Sequence, residues 1–239
     1  MSGVSTSNEL PSRVLTYINM VEKALVKAKE TFKGGDKEKY VLKLAELYLK
    51  DSKYYFSIND YITSLSCIAY AEGLLDALRI LGNVSFEWVR ERPSRVLVGG
   101  TFDLVHIGHV HYLREASRYG LVYAVVATDK NVKRIKGREP ILPQRHRLEL
   151  ISSIRYVYKA VLGHEEDMVK PIELIRPDII VLGPDQPMDE GVLERELSKR
   201  GLVNVRIIRL PRRFSEDLAS TSEIIREVLR RYCPYKLKT

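Results

Sequence analysis

The stretch Gly99–Leu113, GGTFDLVHIGHVHYL, brings three glycines, one acid and three histidines into a single short span. His106 and His109 frame Gly108 in an H-x-G-H spacing where an apolar run gives way to a helical pattern. A helix start carries unpaired N–H groups and the positive end of the helix dipole, so it favours an anion. Two imidazoles placed there can donate hydrogen bonds to phosphate oxygens, and Gly108 would let a triphosphate come close to the backbone. A metal site competes, because His106, His109 and His111 are near one another. It lacks a carboxylate or thiolate partner at suitable spacing, and on a helix His111 points away from His109. A polar strand-to-helix corner, with Gly99 and Gly100 turning the backbone sharply, is the third reading. The pattern is neither G-x-G-x-x-G nor a Walker loop, so ordinary dinucleotide and P-loop chemistry are not indicated.

The elements that must position these residues are legible on either side. RVLVGG, LVYAVVAT, VYKAVLG, DIIVLG and NVRIIRLP are short β-branched runs separated by segments of helical character. Strands alternating with helices imply right-handed crossovers and a parallel sheet covered on both faces. The expected fold is therefore α/β, a Rossmann-like five-stranded parallel sheet with helices on both faces. Ligands bind such sheets beyond the carboxyl ends of the strands, which places the chemistry after Val98, Ala127 and Leu182.

Between about Ser12 and Gly82 the period is helical. Val14, Ile18, Val21, Leu25, Ala28 and Phe32 share one helix face. KGGDK interrupts the pattern, and Asp36 is expected to cap a second helix with Val41, Leu44, Ala45, Tyr48 and Leu49 on its stripe. Asn59 or Asp60 starts a third, carrying Tyr61, Leu65, Ile68, Leu75 and Leu78. This reads as a small α-helical bundle over residues 1–92, followed by a second domain over 93–239. The tyrosine-rich SKYYFSINDYITS reads as aromatic packing between helices rather than as a binding surface. YYFSINDYITSLSCIAYAEGLLDALRILG resembles an uncharacterised helical domain family of archaeal proteins. Dimerisation, a homodimer included, or partner docking is its expected role.

Composition narrows the classes. The chain has 239 residues and is 45% hydrophobic, enough for two cores. The N-terminal MSGVSTSNELPS lacks a basic flank followed by an apolar run, and no run is long enough to span a membrane, so a cytoplasmic protein with no membrane partner is expected. Cys67 and Cys233 are the only cysteines, which argues against disulfide frameworks and structural zinc. Cys67 is expected to be a buried helix residue. Of the formal +8 charge, +7 lies beyond Arg92. That surplus suits a polyphosphate ligand, and without a recognition motif a nucleic-acid partner is not favoured.

GTFDLVHIGH also matches the G-T-F-D-x-x-H-x-G-H signature of the nucleotidylyltransferase superfamily, which includes cytidylyltransferases, pantetheine-phosphate adenylyltransferases and archaeal FAD synthases. The resemblance runs from Arg95 to the C-terminus. ATDKNVKRIKGREPILP is similar to the family's lysine-bearing loop, and RHRLELISSIRYVYKAVLG to the next helix and strand of glycerol-3-phosphate cytidylyltransferases. PDIIVLGPDQ and the RRYC ending are closer to archaeal FAD synthases. STSEIIREV resembles the C-terminal serine/threonine motif at a helix start.

The resemblance implies a task for each position. Gly100, Thr101, Phe102 and Gly108 would line the nucleotide phosphates, Thr101 and Phe102 through backbone N–H and the threonine hydroxyl. His106 and His109 would bind the triphosphate and stabilise charge as its α-phosphorus is attacked. Lys136 would reach the same charge from a mobile loop, helped by Lys133 or Arg138. Asp185 would contact the nucleoside, and Ser220, Thr221 and Ser222 would cap the last helix and donate to phosphates. Mg²⁺ or another divalent cation is expected with ATP or CTP, carried by the triphosphate and with no protein metal site. Where cytidylyltransferases place an arginine and a glutamate before the serine/threonine motif, this chain has FSEDLA, with Arg212 and Arg213 upstream as candidate substitutes. His146 and His164 match no role and read as surface or structural residues.

The expected activity is transfer of a nucleotidyl group from a nucleoside triphosphate to a phosphorylated small molecule, with FMN adenylylation first. The alternatives are cytidylyl transfer to glycerol 3-phosphate, favoured by SIRYV, and a non-catalytic nucleotide-binding regulator.

Overall fold

The computed structural model describes residues 10–211 and 217–233. Arg212 and Arg213 lie outside the described residues, as does most of the N-terminal stretch. The chain divides into two compact units, Met1–Pro93 and Ser94–Thr239.

In the first unit α1 (Leu10–Thr31), α2 (Asp36–Ser57) and α3 (Tyr61–Ile80) pack through the stripes expected of them, with Val21, Ala28, Ala45, Ile68 and Leu75 in one core. Burying each of the larger aliphatic side chains contributes roughly 1.5–3 kcal/mol. Gly35, not Asp36, is the N-cap of α2. Its amide donates to the Glu38 carboxylate at 3.0 Å, so the acid that closes the cap comes from three residues inside the helix rather than from Asp36. Asp60 caps α3 by accepting from the Thr63 amide at 3.0 Å. Helices α2 and α3 approach closely where Ser52 and Ser64 each donate to the other's carbonyl, at 2.9 and 2.8 Å. Of the tyrosine-rich segment, Phe56 and Tyr61 pack edge to face on the core, whereas Tyr54 is exposed. Cys67 is half-buried rather than buried. Beyond α3, Val84, Phe86 and Trp88 pack back onto the same core, and the Trp88 indole donates to Asp76 at 3.0 Å.

The second unit is a five-stranded parallel sheet of β1 (Arg95–Gly100), β2 (Leu121–Val126), β3 (Lys159–Leu162), β4 (Ile179–Leu182) and β5 (Arg206–Arg209), in the order β3-β2-β1-β4-β5. Strand residues alternate between two apolar layers. Val96, Val98 and Val122 face α4 (Ile107–Ser117) and α6 (Gln144–Ser152). Leu97, Ile180 and Leu182 face α7 (Lys170–Ile175) and α8 (Glu190–Lys199). Two more helices, α5 (Asp129–Lys136) and α9 (Thr221–Tyr232), follow β2 and β5. The winding reverses between β1 and β4, which leaves a crevice at their carboxyl ends.

Two expectations need correction. Gly99 and Gly100 do not make the turn: they complete β1, paired with Val125 and Val126. The turn comes at Phe102, which holds a left-handed φ of 50°, a costly conformation for a bulky residue. Its ring folds back over Gly100, where a Cβ would stand 2.8 Å from it, so glycine is required there by the ring rather than by backbone bending. Lys136 is not on a loop. It is the last residue of α5, which Thr128 caps by accepting from Asn131 at 3.3 Å and Gly137 closes with a φ of 67°.

Candidate active site

A cavity of about 330 Å³ opens at the carboxyl ends of β1 and β4. Eleven of the residues named from the sequence line it: Gly100 at the end of β1, Thr101 and Phe102 after it, His106, Gly108 and His109 at the start of α4, Lys136 at the end of α5, Asp185 after β4, and Ser220, Thr221 and Ser222 at the start of α9. These elements converge because their ends all meet the switch between β1 and β4.

His106 is the N-cap of α4. Its ring stacks on that of His109 at 3.8 Å between centroids, and the Phe102 ring meets His109 edge-on at 5.2 Å. Burial, with His106 and Lys136 close by, holds the His109 imidazole down to about 3 against the pull of Asp103. Its Nδ1 is buried with no hydrogen-bond partner among the described residues. Burial and then Arg138 push the Lys136 ammonium below its usual range, again against Asp103. One imidazole held down and a lysine held down beside other cations suit a pocket built for a polyanion.

Arg138 also lines the cavity, whereas Lys133 is drawn away by Glu139 at 2.9 Å. Of the two helpers foreseen for Lys136, only Arg138 is in place. His111 lines the cavity as well. It lies three residues from Gly108 and shares its face of α4, and its Nε2 stands 4.0 Å from Glu115. His146 is exposed on α6, and His164 accepts the Glu166 and Asp167 amides in a turn.

Several residues were not assigned from sequence. Asp103 is buried, and its Oδ1 accepts the Ile141 and Leu142 amides at 2.8 and 3.0 Å while Oδ2 meets Arg138 at 3.3 Å. Burial opposes its charge, but those amides and the guanidinium hold the carboxyl below its ordinary range. The segment following Lys136 is thus pinned rather than mobile. The available signal was a single acid inside the apolar turn Thr101–Val105. Tyr112 donates to the Val181 carbonyl at 2.6 Å, joining α4 to β4. Gln186 accepts the Gly183 amide at 3.0 Å and donates to the Gly99 carbonyl, joining the β4 loop to β1. Arg147 is fully buried on α6 and reaches the Thr101 and Leu142 carbonyls and the Asp129 carboxylate.

Ser220 caps α9 by accepting from Glu223 at 3.2 Å, so Thr221 and Ser222 form the first turn that faces the cavity. Among the described residues no cluster of three or more His, Cys, Asp or Glu is placed to hold a metal ion. Among them, too, no helix is long and apolar enough to cross a membrane.

Gly108 is where α4 and the lead-in to α9 touch. A Cβ there would stand 2.5 Å from the Ala219 carbonyl oxygen and 3.0 Å from the His106 ring. Glycine therefore sets the approach of two cavity walls, beyond any approach of ligand. Since backbone cannot yield as a side chain tip does, Gly108→Ala is expected to part the histidines from Ser220–Ser222. Turnover should fall about 100-fold, the scale of an ångström of misplacement, and the strain should lower stability by about 1–3 kcal/mol. Turnover within a few-fold of the parent protein would contradict this.

Comparison with known proteins adds to the geometry. A family model described as Cytidylyltransferase-like matches residues 97–227, which hold the whole cavity lining. A second, described as Protein of unknown function (DUF357), matches residues 16–84. The FAD synthase of Methanosarcina mazei is 44% identical over 140 residues, 58% of this chain and 91% of that protein. The FAD synthase of Pyrococcus horikoshii is 43% identical over 145 residues, 60% of this chain and 97% of that protein. Among solved structures, one described as a lipopolysaccharide core biosynthesis protein of Thermoplasma volcanium is 41% identical, with a TM-score of 0.49, and the match covers 52% of this chain and 99% of that one.

Proposed function

The chain belongs to the cytidylyltransferase-like family, and from that premise we propose that it transfers the adenylyl group of ATP to FMN, forming FAD and pyrophosphate. The observation that carries the reading is that relatives called FAD synthase match this chain across 91% and 97% of their own length, over the part that contains the whole cavity.

The chemistry asks little covalent work of the protein. A phosphate oxygen of FMN forms a bond to the α-phosphorus of ATP, and the bond from that phosphorus to the oxygen bridging to the β-phosphorus breaks, so that pyrophosphate leaves with the electron pair. Catalysis then consists of in-line placement and donors aimed at charge spreading over the phosphate oxygens. His106 and His109 supply imidazole N–H groups, and Lys136, with Arg138 beside it, supplies the positive charge. Thr101, the Phe102 backbone and the first turn of α9 at Thr221 and Ser222 hold the remaining phosphate oxygens. Asp185 accepts from the nucleoside. Magnesium enters as part of the nucleotide substrate. The two free cysteines suit a cytoplasmic setting.

The test is pyrophosphate release by the purified chain with Mg²⁺, supplying ATP or CTP against FMN, glycerol 3-phosphate and 4'-phosphopantetheine. Release with ATP and FMN, with FAD as the co-product, is the expected result. Release only with CTP and glycerol 3-phosphate would replace this reading by cytidylyl transfer. Nucleotide binding without release would replace it by a regulatory role.

A further inference from the structure

Arg209, the last residue of β5, does not line the cavity, yet its guanidinium gathers the loop that does. Nη1 donates to the Gly183 and Gln186 carbonyls at 3.0 and 3.1 Å, Nη2 donates to the Met188 carbonyl, and Nε pairs with the Glu190 carboxylate at 2.8 Å. One cation thus collects three carbonyls and an acid from residues 183–190. Between Pro184 and Met188 no residue is fully buried, and Met188 alone packs against the apolar layer below. Its internal backbone bond, from the Gln186 amide to the Gly183 carbonyl, is long at 3.3 Å.

The second tether is the Gln186 carboxamide, which ties the same loop to Gly99 at the end of β1. Asp185 stands between the two tethers, on the cavity wall. The ion pair with half-exposed Glu190 contributes little by itself, as surface pairs do. A planar fork with five donors, by contrast, fixes three carbonyls in one geometry.

We propose that Arg209 is a positioning residue that, with Gln186, holds Asp185 at the nucleoside edge of the cavity and so sets the affinity for the nucleoside triphosphate. This rests on the reading of Asp185 as the nucleoside's acceptor. It assigns Arg209 no contact with substrate. Its effect therefore belongs in nucleotide affinity, not in the rate of the chemical step.

The experiment measures equilibrium dissociation constants for ATP and CTP, and steady-state pyrophosphate release with FMN, for the parent chain, Arg209→Ala, Arg209→Lys and Gln186→Met. Circular dichroism and thermal melts establish that each variant is folded. In Arg209→Ala the Kd and KM for ATP should rise roughly 10- to 100-fold, the scale of losing a charge-assisted network. The kcat and the KM for FMN should stay within about 3-fold, as expected when only nucleotide binding is lost. Arg209→Lys should not restore affinity, because one ammonium cannot replace a fork, and Gln186→Met should reproduce the affinity loss. Unchanged ATP affinity in a folded Arg209 variant, full rescue by lysine, or a loss confined to kcat would each overturn the proposal. If the parent chain releases no pyrophosphate with FMN, the adenylyl-transfer reading fails by itself, and the binding constants alone still decide the role of Arg209.

Discussion

Replacing His109 with alanine is expected to cut pyrophosphate release by about 100- to 1,000-fold, the scale on which one preorganised donor to a developing oxyanion matters, while the protein keeps its fold. The ring lies between Phe102 and His106 and is held to about 3 by burial, with His106 and Lys136 close by. In the free protein at neutral pH it is uncharged, and it meets phosphate as an N–H donor beside the positive charge of Lys136 and Arg138. His109→Asn, which keeps a donor, should therefore retain more turnover than His109→Ala. Unchanged turnover in the alanine variant would mean that the H-x-G-H pair does not touch the reacting phosphates.

The same residue gives stability a sign with pH. An unfolded histidine titrates near 6.5, whereas folded His109 titrates at about 3. Between those values the unfolded chain holds a proton that the native chain lacks, so this group lowers stability as pH falls through 6.5 toward 3, and it contributes nothing above 6.5. Urea unfolding at pH 7 and pH 4.5 should show the parent protein losing more stability on acidification than His109→Ala. Equal losses would place the imidazole in water.

What was legible in the chain follows from how information is stored along it. Strands of a covered parallel sheet read as short branched runs, so all five, the edge strands β3 and β5 included, were visible in RVLVGG, LVYAVVAT, VYKAVLG, DIIVLG and NVRIIRLP. The cavity residues were visible for a related reason: strand ends and helix starts gather them into contiguous motifs. Local conformation was less accessible. Nothing in GGTFD says that Phe102, not a glycine, takes the left-handed turn, because that choice is made by the ring closing over Gly100. KNVKRIK was read as loop although Thr128 and Gly137 cap it as a helix. Least accessible were side chains that act on distant backbone. Asp103 reaches Ile141 across 38 positions and Arg147 reaches Thr101 across 46, and no periodicity records such partners.

Arg147 supports the last and largest stability effect, which runs against the intuition that deleting a buried charge is the worst injury. Its guanidinium is wholly buried, while its partner Asp129 is 43% exposed and 2.7 Å away. Arg147→Met keeps the apolar stem, removes the charge and leaves Asp129 free to meet water. The cost is then that of the Thr101 and Leu142 carbonyls losing donors, about 1–3 kcal/mol. Asp129→Ala leaves the cation in place, buried and uncompensated, which costs about 3–5 kcal/mol. It also removes the acceptor of the Gln144 amide, freeing the start of α6. Chemical denaturation should therefore rank Asp129→Ala below Arg147→Met in stability. In Arg147→Met the Thr101 carbonyl loses its tether at the mouth of the cavity, so nucleotide affinity should fall alongside stability in that variant. The reverse ranking would show that water reaches Arg147 in the native state, and the network joining β1, α5 and α6 would then not be what fixes the phosphate wall.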